Sequence, residues 1–97
     1  MPQLIFSPQF RIEADKAWDY LAEYSVTRAN AFIIEVSETL DQLAAYPRMG
    51  RSREEIMQGM RSFPVGRYLI FYQPIENGIK VLRLKHAAQD IDTFFAK

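Results

Sequence analysis

With 97 residues, 48% hydrophobic and 25% charged, the chain can bury one modest core, and a single globular domain over residues 1–97 is expected. It has no cysteine, which excludes disulfide staples and thiolate chemistry; it has no apolar run long enough to span a membrane and no visible signal peptide, so a cytoplasmic location is expected. The formal net charge of zero hides an asymmetry: residues 1–47 carry three basic and seven acidic side chains, residues 48–97 nine and five. A basic back half suits an anionic partner, although ordinary solvated charge gives the same pattern.

Leu4-Ile5-Phe6 reads as a strand. Ser7-Pro8 then opens a helix, with serine as cap and proline at the first helical position, where its missing N–H is harmless. Phe10, Ala14, Ala17, Trp18, Leu21 and Tyr24 recur at helical spacing, and Trp18 is read as core. Ile12 and Tyr20 lie off that stripe and suggest a second contact surface. Ser25-Val26-Thr27 interrupts the pattern, with Thr27 taken as the next cap. A second helix follows on Ala29, Phe32, Ile33, Val36, Leu40, Leu43 and Ala44, and Tyr46-Pro47 ends it. The short connection predicts an antiparallel helical hairpin lying on one face of a sheet. Pro47 to Ile56 reads as a loop, and the capping-box spacing of Ser52 and Glu55 predicts a short helical turn.

Gly59 to His86 reads as a three-strand antiparallel meander, punctuated by Pro64 and Gly66, then by Pro74 and Asn77-Gly78. Tyr68 to Tyr72 has no polar position. The next run is apolar on both parities, Ile79 and Val81 against Leu82 and Leu84, which implies that both sheet faces are covered. Ile91, Phe94 and Phe95 at helical spacing predict a short C-terminal helix over Ala87–Lys97. The fold class is therefore α+β: strand, helical hairpin, meander, short helix.

Catalytic motifs do not emerge. His86 is the lone histidine and reads as structural; no metal-ligand spacing and no glycine-rich phosphate loop appears, so no catalytic residue, metal or cofactor is expected. The basic residues of the meander, Arg61, Arg67, Arg83 and Lys85, are more informative. Arg83 and Lys85 share a face by strand periodicity. A helix-covered face rejects charge, so both should lie on the open face, with Leu82 and Leu84 turned to the helices.

The ordered set Trp18-Asp19-Tyr20, Leu43 to Gly50, Arg61 to Tyr72 and Val81 to Asp90, behind an early strand, resembles the ParE toxins of the RelE/ParE superfamily. The resemblance covers nearly the whole chain. It implies a protein inhibitor of DNA gyrase, neutralised by a ParD-like antitoxin that wraps the toxin with its tail and supplies the DNA contact. A toxin dimer or a hetero-oligomer with the antitoxin is compatible with it. The RelE branch instead cleaves mRNA on the ribosome. This chain departs from that branch, with Leu69 in place of an arginine, Ala87-Ala88-Gln89 in place of a basic cluster, and Phe94 and Phe95 in place of a tyrosine. Gln89 also departs from the ParE pattern, which often has a basic residue there. The alternatives are a RelE-like ribosome-dependent mRNA interferase and a non-toxic antitoxin-binding module.

The resemblance places position 69 on the open face. A two-residue Asn77-Gly78 turn would set Tyr72 beside Arg83; a three-residue loop, Glu76-Asn77-Gly78 with a left-handed Gly78, sets Phe71 beside Arg83 and Leu69 beside Lys85. The second register is expected, because it leaves Tyr68, Ile70 and Tyr72 for the helices. Leu69, Phe71, Val81, Arg83 and Lys85 then form the expected antitoxin surface. Arg61, Arg67, Arg83 and His86 are the candidate target contacts.

Overall fold

The computed structural model describes residues 1–88. The elements run β1 (Gln3–Phe6), α1 (Pro8–Ala22), α2 (Val26–Ala45), a 3-10 turn (Pro47–Met49), β2 (Arg51–Ser52), β3 (Arg61–Val65), β4 (Tyr68–Ile75) and β5 (Gly78–His86). The expected α+β class holds. From Gln89 onward, the expected C-terminal helix lies outside the described residues.

The helices start where side-chain oxygens replace missing backbone acceptors. Ser7 Oγ accepts from Phe10 N at 3.1 Å, with Pro8 in the first turn, as expected. The second cap is Ser25, not Thr27: its Oγ accepts from Arg28 N at 3.2 Å, and Thr27 is already helical. Trp18 is half-buried, and its Nε1 donates to Asn30 Oδ1 at 2.9 Å, tying the two helices together.

The strands form one five-stranded sheet in the order β1-β5-β4-β3-β2. The meander is antiparallel, whereas β1 lies parallel to β5, pairing Gln3–Phe6 with Gly78–Val81. The strand β2 falls in the expected loop: Arg51 and Ser52 pair with Ser62 and Arg61. Ser52 is thus extended and caps nothing; the next turn closes on the Arg53 carbonyl, which accepts from Ile56 N at 2.9 Å.

The expected pairings Phe71–Arg83 and Leu69–Lys85 are present, but the expected loop is not. The turn has two residues, Glu76-Asn77, with Asn77 in the left-handed region at φ 59° and Ile75 opposite Gly78. A bulge opposite Phe71 and Tyr72 then shifts the register, because Tyr72 pairs with Val81 while Phe71 pairs with Arg83. Leu82 is the extra residue. The bulge moves Ile79, Val81 and Leu84 onto one face despite their mixed parity, and all three join the core beneath the helices.

Two expectations are corrected by this shift. Val81 is fully buried on the helix side and does not share the open face with Arg83. Leu82 does not face the helices; it lines a cleft with Met57 and Met60, and its carbonyl accepts from Ser7 Oγ at 2.5 Å. Helix-side contributors also include Phe10, Val36, Leu40, Leu43, Ile70 and Tyr72.

The face away from the helices carries its own cover. Residues 53–60 fold back across it, with the Arg53 guanidinium 6.0 Å from the centre of the Phe71 ring and Gln73 Nε2 donating to the Gln58 carbonyl at 2.9 Å. Met60 and Phe71 are both buried there.

Candidate functional site

Glu13 organises the outer side of β5. Beyond Val81 the strand β1 no longer pairs with it, so backbone groups at that edge need other partners. Glu13 Oε1 accepts from Leu84 N at 3.0 Å, complementing the Ser7 bond to Leu82. The carboxylate also accepts from Arg83 Nε at 3.1 Å and Nη2 at 2.9 Å, a forked arrangement, and from Lys85 Nζ. Burial alone would push the Glu13 carboxyl up. The bonds from Arg83, Lys85 and Leu84 outweigh it and hold the group below the usual carboxylate range. Lys85, with a side chain only 5% exposed, is pulled below the usual lysine range by burial, with Glu13 opposing.

Arg83 and Lys85 are therefore paired with a carboxylate of their own chain, not presented as bare cations. Nothing in the meander predicts this, but α1 held a signal. Glu13 lies three residues after Phe10 and four before Ala17, on the stripe that faces the sheet. An acid there needs a buried cation.

A second lock involves Arg61. Its Nη1 donates to the Gly50 carbonyl at 2.7 Å and to the Arg48 carbonyl at 3.4 Å. Beside it the buried Tyr72 hydroxyl donates to the Pro47 carbonyl at 2.7 Å and accepts from Gly50 N at 2.9 Å. Burial raises the Tyr72 phenol above its ordinary range, with Gly50 and Arg61 opposing. Gly50 permits this approach, because a Cβ there would sit 2.8 Å from the Ser62 carbonyl oxygen. Arg61 thus fastens the segment after α2 to the sheet.

The expected target contacts therefore separate. Arg61 and Arg83 are engaged in the fold, whereas Arg67 and His86 come together at the far end of the sheet. They line a cleft of about 250 Å³ with Tyr20, Leu21, Arg28, Phe32 and Tyr68. The Tyr68 ring packs on Phe32 at 4.9 Å and edge-on to His86 at 5.1 Å. His86 Nδ1 accepts from Ala88 N at 3.1 Å, so the neutral ring carries its proton on Nε2. Arg28 escaped the sequence reading, since pattern alone does not bring α2 beside the β3–β4 turn.

The expected antitoxin surface is also redistributed. Leu69 is half-buried opposite Lys85; Phe71 is fully buried, Val81 lies in the helix-side core, and Arg83 and Lys85 hold Glu13. The open side instead offers a cleft of about 540 Å³ between β1, β5 and residues 53–60, lined by Ile5, Phe6, Met57, Met60, Lys80 and Leu82 among others. Among the described residues no group of acidic, histidine or cysteine side chains could hold a metal ion, and no helix is long and apolar enough to cross a membrane.

Comparison with known proteins agrees with this architecture. Residues 4–91 match the family profile described as the ParE toxin of the type II toxin-antitoxin system, parDE. The chain is 31% identical over 90 residues to Toxin ParE1 of Mycobacterium tuberculosis, covering 91% of this chain and 92% of that one. It is 24% identical over 89 residues to Toxin RelE2 of Caulobacter vibrioides, covering 92% and 99%. Its fold is similar to a solved structure of a chromosomal ParDE TA system from P. aeruginosa, with a TM-score of 0.72 and 17% identity over 89% of this chain and 96% of that one. The profile match and the 31% identity to Toxin ParE1 make the chain a toxin of the RelE/ParE superfamily, and its two helices on a five-stranded sheet share the fold of that solved structure. Within that superfamily the chain belongs to the ParE toxin family of type II toxin–antitoxin systems.

Proposed function

We propose that this toxin arrests growth by inhibiting DNA gyrase through protein contact, and that a ParD-like antitoxin neutralises it. One observation carries the choice of inhibitor over nuclease. Cleaving RNA requires groups that activate a 2′-hydroxyl and stabilise the charge that develops on the phosphate. Of the four basic residues of the meander, three are engaged within the fold, Arg83 and Lys85 by Glu13 and Arg61 by backbone carbonyls, which leaves Arg67 alone of that set. In a supercoiling assay the purified toxin should block gyrase. Normal supercoiling beside a molar excess of toxin would overturn the reading. Similarity to Toxin RelE2 favours, as a second reading, a ribosome-dependent mRNA interferase. Primer extension on translated mRNA separates the two, because only the interferase leaves cuts at the ribosomal A site.

We infer that the antitoxin tail lies on the open sheet face, with its apolar side chains in the cleft between Ile5, Leu82, Met57 and Met60. Methionine adapts its shape to an incoming side chain, and the exposed Lys80 at the rim suits a carboxylate on the tail. DNA would then be reached only through the antitoxin. Met57→Glu places a like charge against that tail and should weaken binding by about 1–2 kcal/mol in calorimetric titration. Unchanged affinity of the folded variant would move the antitoxin elsewhere.

A further inference from the structure

We propose that the cleft between α1, the start of α2 and the β3–β4 turn, with Arg28 and Arg67 at its mouth and Tyr20, Phe32, Tyr68 and His86 as walls, is where the toxin grips its protein target, receiving an acidic segment anchored by one apolar or aromatic side chain. The proposal rests on the reading of the chain as a gyrase inhibitor and assigns the surface that does the inhibiting.

The charge of the cleft points to an anionic occupant. Arg28 and Arg67 are both exposed, and among the described residues neither forms an ion pair with an acidic side chain of its own chain. None of the lining side chains is acidic. Arg28 occupies the first turn of α2, where the positive end of the helix disfavours a cation, and no carboxylate in that turn offsets it. Among the described residues no acidic side chain pairs with Arg28 to offset this unfavourable charge. That contrasts with Arg61 and Arg83, which the fold consumes. An arginine pair also favours carboxylates by forked hydrogen bonding, which a lysine pair would not.

The size and walls of the cleft point to a protein segment. At about 250 Å³ it lies below the roughly 300–1,000 Å³ typical of small-molecule pockets, yet holds one large side chain. Phe32, Tyr68 and His86 form a packed ring cluster, and Tyr68 is itself only half-buried, so the wall is stiff and still reachable. Stiff aromatic surfaces flanked by arginine are the usual composition of an energetic centre in a protein interface. The cleft stands apart from the Met57 and Met60 cleft, and the two share no lining residue.

The test uses the full-length toxin carrying Arg28→Glu and Arg67→Glu together, with Arg28→Lys and Arg67→Lys as the conservative pair. Circular dichroism first establishes that each is folded. The charge-reversed toxin should need on the order of 100-fold more protein to half-inhibit gyrase supercoiling, while its affinity for the antitoxin changes by less than about threefold. The lysine pair should recover part of the inhibition. A charge-reversed toxin that inhibits as well as the wild type would overturn the proposal and leave the gyrase reading intact. Equal loss of antitoxin affinity would assign the cleft to the antitoxin, and loss that follows DNA binding by the toxin alone would assign it to nucleic acid; either outcome overturns the proposal. Wild-type toxin without effect on gyrase would overturn the functional reading itself, and the proposal with it.

Discussion

Glu13→Ala removes the acceptor shared by Arg83, Lys85 and Leu84 N while leaving α1 a good helix former in its place. Removing one partner of a buried ion pair costs about 3–5 kcal/mol, because the charge left behind has lost its water. Lys85, with a side chain 5% exposed, bears most of that penalty, whereas the Arg83 side chain is 26% exposed and can turn towards solvent, where a pair contributes about 0–1 kcal/mol. The expected loss is about 2–4 kcal/mol at pH 7, measured by urea unfolding. For a chain of this size that lowers Tm by roughly 10–30 °C. The pH dependence has a definite sign. The folded carboxyl titrates below its unfolded value, so its stabilisation is complete above about pH 4.3 and is lost as the pH falls through the lowered folded value. The difference between wild type and Glu13→Gln, followed from pH 7 to pH 2, should shrink over that window. A Glu13→Ala protein within about 0.5 kcal/mol of wild type would show that the charges find water easily, and would refute the reasoning.

Tyr72→Phe removes a hydroxyl that bonds both Pro47 and Gly50, leaving buried backbone groups without a partner, and should cost about 1–3 kcal/mol in the same unfolding assay. At Gly78, where φ is +155° and an added Cβ would lie 2.6 Å from Gln3 N, Gly78→Ala should force β1 away from β5. It should destabilise by about 2 kcal/mol or more, with amide exchange accelerating first along Gln3–Phe6.

Much of the fold was legible because local chemistry and global packing agree. Ser7-Pro8, the apolar stripes and Tyr46-Pro47 mark both helices almost to the residue. The mixed parity of Ile79, Val81, Leu82 and Leu84 was a real signal with two causes. A bulge keeps Ile79, Val81 and Leu84 on the helix face, and Leu82 meets the cover that residues 53–60 lay over the other face. The register came out as expected for a different reason, since a shorter turn and a bulge together restore the offset that a three-residue loop would have supplied. The candidate site was less legible. Its decisive contacts join Glu13 to residues 70 and 71 positions away, and its cleft brings Arg28 beside Arg67, 39 positions on along the chain. Periodicity speaks of faces within one element; it does not say which faces of distant elements meet.

The parallel pairing of β1 with β5 sets an order of events during synthesis. The first strand waits for the last, and pairs such as Ser7 with Leu82 span 75 positions. At about 5–20 residues per second, that separation takes roughly 4–15 s to translate. Until then Leu4 and Phe6 have no strand beside them, and Glu13 has neither arginine nor lysine to hold. The cleft built by Arg28, Arg67 and His86 is completed in the same final step, because His86 closes it. A ribosome that stalls before β5 therefore releases a chain in which β1 has no strand to pair with and the cleft lacks His86. Any contact that needs this cleft is confined to molecules translated through β5.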